Sequence, residues 1–309
     1  MFRSDDGGQS FVRKSTGMFV ECDVRALVVH PADPRVILAG TNEGLYRTND
    51  GGEHWVRIES PMNRMVIWSI LIDPDQPDTI IAGTRPAHIF RSADAGRNWS
   101  HVARSMRQDC NNLIFNRVTT LIRDPLEPET MWAGVEIDGV WVSRDRGETW
   151  GPVSDGLSSL DIHCLVVVPS ASGKRIVAST NNDLNSLESG DTVWVPHHFA
   201  GKFERPYFRG IAQNAADLNQ LLVGNGNAPP GSVGTIFRSV DGGATWVEAK
   251  MPGVANSTIW GFATHGSNPN RVYAYSVSGE LYRSVDAGLV WSKLDREFGE
   301  IRSLAWAPF

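Results

Sequence analysis

The chain has 309 residues, 41% hydrophobic and 21% charged, the proportions of an ordinary soluble globular protein. Its net charge of −6 argues against a general nucleic-acid or membrane-surface role, which needs a basic face. All but five of its 29 basic residues are arginine, the cation suited to planar, bidentate contacts with carboxylates and phosphates. No apolar run reaches the roughly 18 residues of a membrane span and the start MFRSDDGGQS lacks the apolar centre of a signal peptide, so a cytoplasmic location is expected.

Residues 1–12, MFRSDDGGQSFV, supply two short strands around the turn SDDGGQSF. The chain then settles into a period. VRALVVHP (24–31), RVILAGT (35–41), GLYRT (44–48) and HWVRIE (54–59) are short runs rich in β-branched and aromatic residues, parted by Pro, Gly, Asn and Asp. They predict four strands, A innermost to D outermost. The turn from C to D is TNDGGEHW, with Thr48, Asp50, Gly52 and Trp55. Its pattern, Ser/Thr-x-Asp-x-Gly-x-x-aromatic, returns from Ser92 to Trp99, Ser143 to Trp150, Ser239 to Trp246 and Ser284 to Trp291. Ser4 to Phe11 is a further copy, and SLESGDTVW is a worn one that puts Glu188 and Gly190 in the roles of acid and glycine, with Trp194 one place late. The acids at 6, 50, 94, 145, 188, 241 and 286 recur at about 44 residues, the period of a four-stranded propeller blade. Seven copies predict an all-β, seven-bladed β-propeller occupying residues 1–309 as a single domain. EIRSLAWAP (300–308) reads as strand A and the start as strands C and D only. The N- and C-terminal segments are therefore expected to close the ring together in one thin blade that lacks strand B.

A hydroxyl, a carboxylate and a glycine at this spacing are what a tight turn needs: oxygens that accept from turn amides, and a residue free to take φ > 0. A catalytic reading would require seven equivalent reaction centres, so the repeat is expected to be structural. These residues resemble the Asp-box, or bacterial neuraminidase repeat, over the whole chain. That propeller superfamily includes sialidases, two-propeller glycosidases that cut xyloglucan oligosaccharides, sortilin-type receptors and a photosystem II assembly factor with a seven-bladed propeller. The Arg-Ile-Pro motif that sialidases carry is missing. The resemblance implies Asp-box turns on one face and ligand sites on the opposite one, around the first residues of each strand A.

Aligned on a small residue (Ala26, Ser69, Thr120, Cys164, Gly210, Gly261, Ser303), the strand-A starts put Arg25, Trp68, Thr119, His163, Arg209, Trp260 and Arg302 in one ring. Two residues earlier come Asp23, Arg117, Asp161, Tyr207 and Glu300. Strand alternation places 23, 25 and 27 on one face, and the third member of that series is apolar in every blade (Leu27, Ile70, Leu121, Leu165, Ile211, Phe262, Leu304), which predicts core. Arg25, Arg117, Arg209 and Arg302 are candidate anion binders, and Trp68 and Trp260 candidate stacking surfaces for a sugar ring. Asp23, Asp161, His163, Glu300 and Tyr207 are the candidate catalytic groups. The structural counterpart is a salt-bridge girdle that merely fills the channel. Long loops at 100–117, 195–207 and 224–235 favour a site. Glu204 with Tyr207 faintly echoes the sialidase nucleophile pair, and coincidence is the simpler reading.

No cofactor and no metal site is expected. Cys22, Cys110 and Cys164 are an odd number without metal spacing and read as free thiols. His88, His101, His197 and His198 read as loop histidines rather than ligands. The expected function is a hydrolase- or lyase-type enzyme, glycosidase-like, acting on a small anionic, carbohydrate-like or carboxylate-bearing molecule. The alternative is a non-catalytic binding or assembly scaffold that grips a peptide or protein with the same Arg-rich face.

Overall fold

The computed structural model describes residues 1–103, 105–107, 115–199, 203–205 and 207–308. The described residues form an all-β propeller of six four-stranded blades, at 24–58, 66–103, 118–152, 162–196, 207–248 and 259–293, each an antiparallel meander. Among the described residues there is no helix, and so none long and apolar enough to cross a membrane.

The expectation of seven blades is therefore corrected to six. The first turn copy, Ser4 to Phe11, lies between Phe2–Arg3 and Val12–Arg13, which form a two-stranded sheet and nothing larger. Residues 300–308 form no strand. Counting turn motifs counted one C-to-D corner that, among the described residues, joins a sheet of two strands.

The chain divides into two compact units, Met1–Pro152 with the residues from Ala307 on, and Val153–Trp306. Each holds three blades, and within each unit the first strands of successive blades touch. The cores lie between neighbouring sheets. In the first unit Leu38 and Leu45 of blade one, with Met62 of the following connection, pack against Ile67, Ile80 and Phe90 of blade two, and Ile81 and Ile89 of blade two against Val118, Met131 and Trp141 of blade three. In the second, Val166, Val177 and Leu184 meet Phe208, Leu221 and Val223, and Leu222 and Ile236 meet Ile259, Val272 and Tyr282. Covered on both faces, the second strands read as continuous apolar runs rather than alternating ones: all of Met131–Val135 is buried.

The repeated turns are built alike. Thr48 Oγ1 donates to Asp50 Oδ1 (2.7 Å) and accepts from the Gly52 amide (2.9 Å), while the His54 amide donates to Asp50 Oδ1 (3.0 Å). The Ser239 turn repeats this, and Trp246 Nε1 donates to the Gly243 carbonyl at 3.0 Å. Gly52 and Gly243 sit at φ +94° and +89°, conformations that side chains resist. In the worn copy Glu188 does not take the acid's place. Its carboxylate is drawn off the turn by Arg175 and by the hydroxyls of Ser170 and Ser172.

Candidate functional site

At the first strand of each blade one candidate sits in a β-bulge, whereas Arg302 lies in no strand. In blade one Val24 pairs with Thr41 and Ala26 with Gly40, so Arg25 is an extra residue outside the ladder. Trp68, Thr119, His163 and Trp260 occupy the same position in blades two, three, four and six. In blade five the break spans Arg209 and Gly210. A bulge re-aims its side chain and resets the pleat. This corrects the plain alternation expected through 23, 25 and 27. Of the apolar series that follows, Leu121, Leu165 and Ile211 are buried, whereas Leu27, Ile70, Phe262 and Leu304 are half-buried.

A bulge also frees backbone carbonyls, which must find donors when buried. The neighbouring segment supplies them: Ser69 Oγ donates to the Val118 carbonyl (2.8 Å), Ser179 Oγ to Arg209 (2.7 Å) and His163 Nδ1 to Phe208 (2.6 Å). Beyond the last strand, Tyr275 OH donates to the Arg302 carbonyl (3.0 Å).

The first unit brings together Asp23, Arg25, Trp68 and Arg117. The guanidiniums of Arg25 and Arg117 lie 5.1 and 4.1 Å from the Trp68 ring centroid. Arg25 pairs with Asp23, whose amide donates to Asn42 Oδ1 at 2.7 Å. Arg117 pairs at 2.5 Å with Glu136, a nearly buried acid at the end of the second strand of blade three.

The second unit repeats the arrangement. Arg209 and Arg302 lie 4.0 and 4.9 Å from the Trp260 centroid, and Arg302 pairs with Glu300. Arg209 Nη1 donates to the Tyr207 hydroxyl (3.4 Å), the Tyr207 ring is 5.1 Å from His163, and His163 Nε2 is 3.4 Å from Asp161 Oδ2. Burial, and then the charge of Arg209, push the His163 pKa down against the pull of Asp161. Because a carbonyl can only accept, the proton of the neutral ring sits on Nδ1. Burial pushes the Tyr275 hydroxyl well above the ordinary phenol range.

Chemically, the two clusters are arginine–tryptophan–arginine assemblies, each cation–π contact worth about 0.5–2 kcal/mol depending on desolvation. Guanidiniums cover indole surface that a sugar ring would need. Asp23 and Glu300 are each tied to an arginine, Arg25 and Arg302. Glu136, Tyr275 and Asn42 escaped the sequence reading. An acid directly after the apolar run MWAGV was the available signal for Glu136.

Among the described residues no group of three or more His, Cys, Asp or Glu could hold a metal. His88 packs edge-on against His101, with centroids 4.7 Å apart, and His197 packs on Phe199. Cys22 and Cys164 form no disulfide, and Cys110 lies outside the described residues. So do 104 and 108–114 of the loop at 100–117, and 200–202 and 206 of the loop at 195–207.

The sequence profile described as Sortilin, neurotensin receptor 3 (Sortilin-Vps10) matches residues 1–117. Sortilin of Rattus norvegicus is 24% identical over 286 residues, which is 85% of this chain and 32% of that protein. A xyloglucanase of a Paenibacillus species is 25% identical over 300 residues, 82% of this chain and 28% of that protein. The chain thus spans about a third of the length of these curated relatives. Among solved structures, the GH74 xyloglucanase from Xanthomonas campestris superposes with a TM-score of 0.66 at 21% identity, covering 95% of this chain and 46% of that one. YCF48 bound to D1 peptide superposes with a TM-score of 0.57 at 17% identity, covering 88% and 82%.

Proposed function

Within the Asp-box β-propeller superfamily, which all of these matches fit, we propose that this chain is a binding propeller that grips a carboxylate of a peptide partner through Arg209 and Arg302. The observation that carries this reading is Arg209. It is only 6% exposed, yet its contacts among the described residues are the Tyr207 hydroxyl and the Trp260 ring, with no carboxylate. A guanidinium withdrawn from water without an anion is costly, and an incoming carboxylate would relieve that cost. Trp260 orients Arg209 and Arg302 alike, and Tyr207 fixes the Arg209 fork. This reverses the order of the two expectations from sequence, because the acid–base groups are spoken for. Glu300 is bound to Arg302, and His163 donates its ring proton to a backbone carbonyl.

The second reading, a glycosidase-type hydrolase, is favoured by the xyloglucanases, which match over most of the chain. Fluorescence titration of labelled acidic peptides, alongside a xyloglucan-oligosaccharide turnover assay, separates the two. Binding should weaken about tenfold or more in Arg209→Gln, the value of one shielded charge-assisted contact. Turnover should be undetectable. Hydrolysis by the wild type that disappears in a folded Asp161→Asn variant would install the hydrolase reading instead.

A further inference from the structure

A cavity is lined by residues other than those of the arginine–tryptophan cluster. A cleft of about 350 Å³ opens in the second unit and is lined by Arg205, Thr235, Glu248, Lys250, Met251 and Val254. Its volume is within the range of small-molecule sites. Thr235 comes from the strand Gly234–Ser239 and Glu248 from the outer strand Val247–Glu248, and Lys250 is anchored by its amide to the Leu289 carbonyl (3.0 Å) and by its carbonyl to the Trp291 amide (2.9 Å).

The charges on these walls are distinctive. The Arg205 side chain is mostly buried, and its guanidinium has one contact among the described residues, a 3.5 Å approach to Glu204, whose side chain is 83% exposed. That exposed acid is held by water more than by Arg205, so the guanidinium keeps donors to spend. Asn225 Nδ2 donates to the Arg205 carbonyl at 3.1 Å and fixes the residue's backbone. Lys250 adds a second cation. Glu248 takes the Thr235 hydroxyl on one oxygen (2.9 Å), and its other oxygen has no hydrogen-bond partner among the described residues. Met251, Val254 and Ala249 supply apolar lining. At Gly253 an added Cβ would meet nothing within 4 Å, so that wall is open.

Two cations, one acid and an apolar floor in a small cleft match a ligand with a carboxylate, an ammonium and a short apolar body. We propose that this cleft binds a free apolar amino acid, its carboxylate on Arg205 and Lys250, its ammonium on Glu248, and its side chain over Met251 and Val254. The proposal stands independently of the peptide-binding reading.

The test is titration calorimetry of the full chain with L-leucine, with 4-methylpentanoate, which lacks the ammonium, and with isoamylamine, which lacks the carboxylate. Leucine should bind, and each analogue should bind more weakly by about tenfold, one charge-assisted contact having been removed. Arg205→Gln should weaken leucine by a similar factor, and Glu248→Gln should erase the preference for leucine over 4-methylpentanoate. Val247→Ser, on the exposed outer strand beside the cleft, should leave binding unchanged. Circular dichroism melts of the two charge variants confirm that they fold. The proposal is overturned if leucine does not bind, if a folded Arg205→Gln binds it as tightly as the wild type, or if 4-methylpentanoate binds as well as leucine.

Discussion

Replacing His163 by Phe tests whether this residue is a reaction centre or a link between blades. The ring is buried, and its Nδ1 donates to the Phe208 carbonyl at 2.6 Å, a carbonyl of the neighbouring inner strand. Phe fills similar space but leaves that carbonyl without its donor, at a cost of about 1–3 kcal/mol. The pH dependence carries a second signature. With its folded pKa depressed below the unfolded value near 6.5, His163 stays neutral in the fold while the unfolded chain takes up a proton, so stability is full above that value and falls as pH drops below it. Between pH 7.5 and 5.5 this group therefore makes the fold lose stability as the solution is acidified. Urea unfolding at the two pH values should show the wild type losing stability on acidification and His163→Phe losing less, from a lower starting point. Peptide binding by the folded fraction should persist within a few-fold. A variant as stable as the wild type, or one with an undiminished pH slope, would refute the assignment of a neutral, structural imidazole.

Asp241→Ala removes the acceptor of three turn hydrogen bonds, from Ser239 Oγ, the Thr245 amide and Thr245 Oγ1. Because the turn is exposed, the melt should report only about 1 kcal/mol, with ligand affinity unchanged. The turn acids also set an acid limit. The backbone amide and side-chain amide of Asn98, aided by Ser92, hold Asp94 at about 2, so its stabilisation is present above the unfolded value near 4 and lost as pH falls toward 2. A fluorescence-monitored acid titration should find a decline over that window, and Asp94→Asn should flatten its share of it. Gly83→Ala would put a Cβ 2.6 Å from Val118 Cβ and closer still to Ser69 Oγ. It should cost about 1–3 kcal/mol or more, whereas Gly151→Ala, with nothing within 4 Å of the new carbon, should change stability by about 0.5 kcal/mol or less in chemical unfolding.

The fold was legible where information is local. The Thr48–Trp55 turn carries its own hydroxyl, acid and glycine within a few residues, so its copies could be counted from the chain. The number of blades was not, because the motif marks a C-to-D corner and says nothing of whether A and B strands precede it. Ser4–Phe11 has such a corner with only Phe2–Arg3 and Val12–Arg13 around it. The bulges were hidden for a different reason, since an extra residue in one strand leaves no gap in a sequence. A trace of them exists on the partner strand. Gly40, Gly83 and Gly134 pair with the residue just past the bulge, and Gly224 lies opposite the break in blade five. At Gly40 and Gly224 the next blade's Ile67 and Ile259 press in, leaving no room for a side chain.

The bulges also shape how the candidate residues meet. Four arginines, two tryptophans and several acids at strand starts suggested separate tools, cations for an anion, indoles for a sugar and carboxylates for proton transfer. A residue outside the ladder is free to turn toward its neighbour in the next blade, and in both units that neighbour completes an arginine–tryptophan–arginine assembly. Indoles covered in this way hold guanidiniums in place rather than offering a free face. The acids divide on the same logic: Asp23, Glu136 and Glu300 each answer one arginine. Arg209 is the member of the set with no carboxylate among the described residues, and it is the most deeply buried of the four arginines. Burial strengthens a charge's demand for a counter-ion while shielding the contact from salt and water. An anion delivered to Arg209 should therefore gain more than one delivered to Arg25, where Asp23 already competes. In salt titrations of the peptide complex, Arg25→Gln should change affinity by less than about threefold while Arg209→Gln removes most of it, and an equal loss from both would show that pairing does not decide which arginine binds.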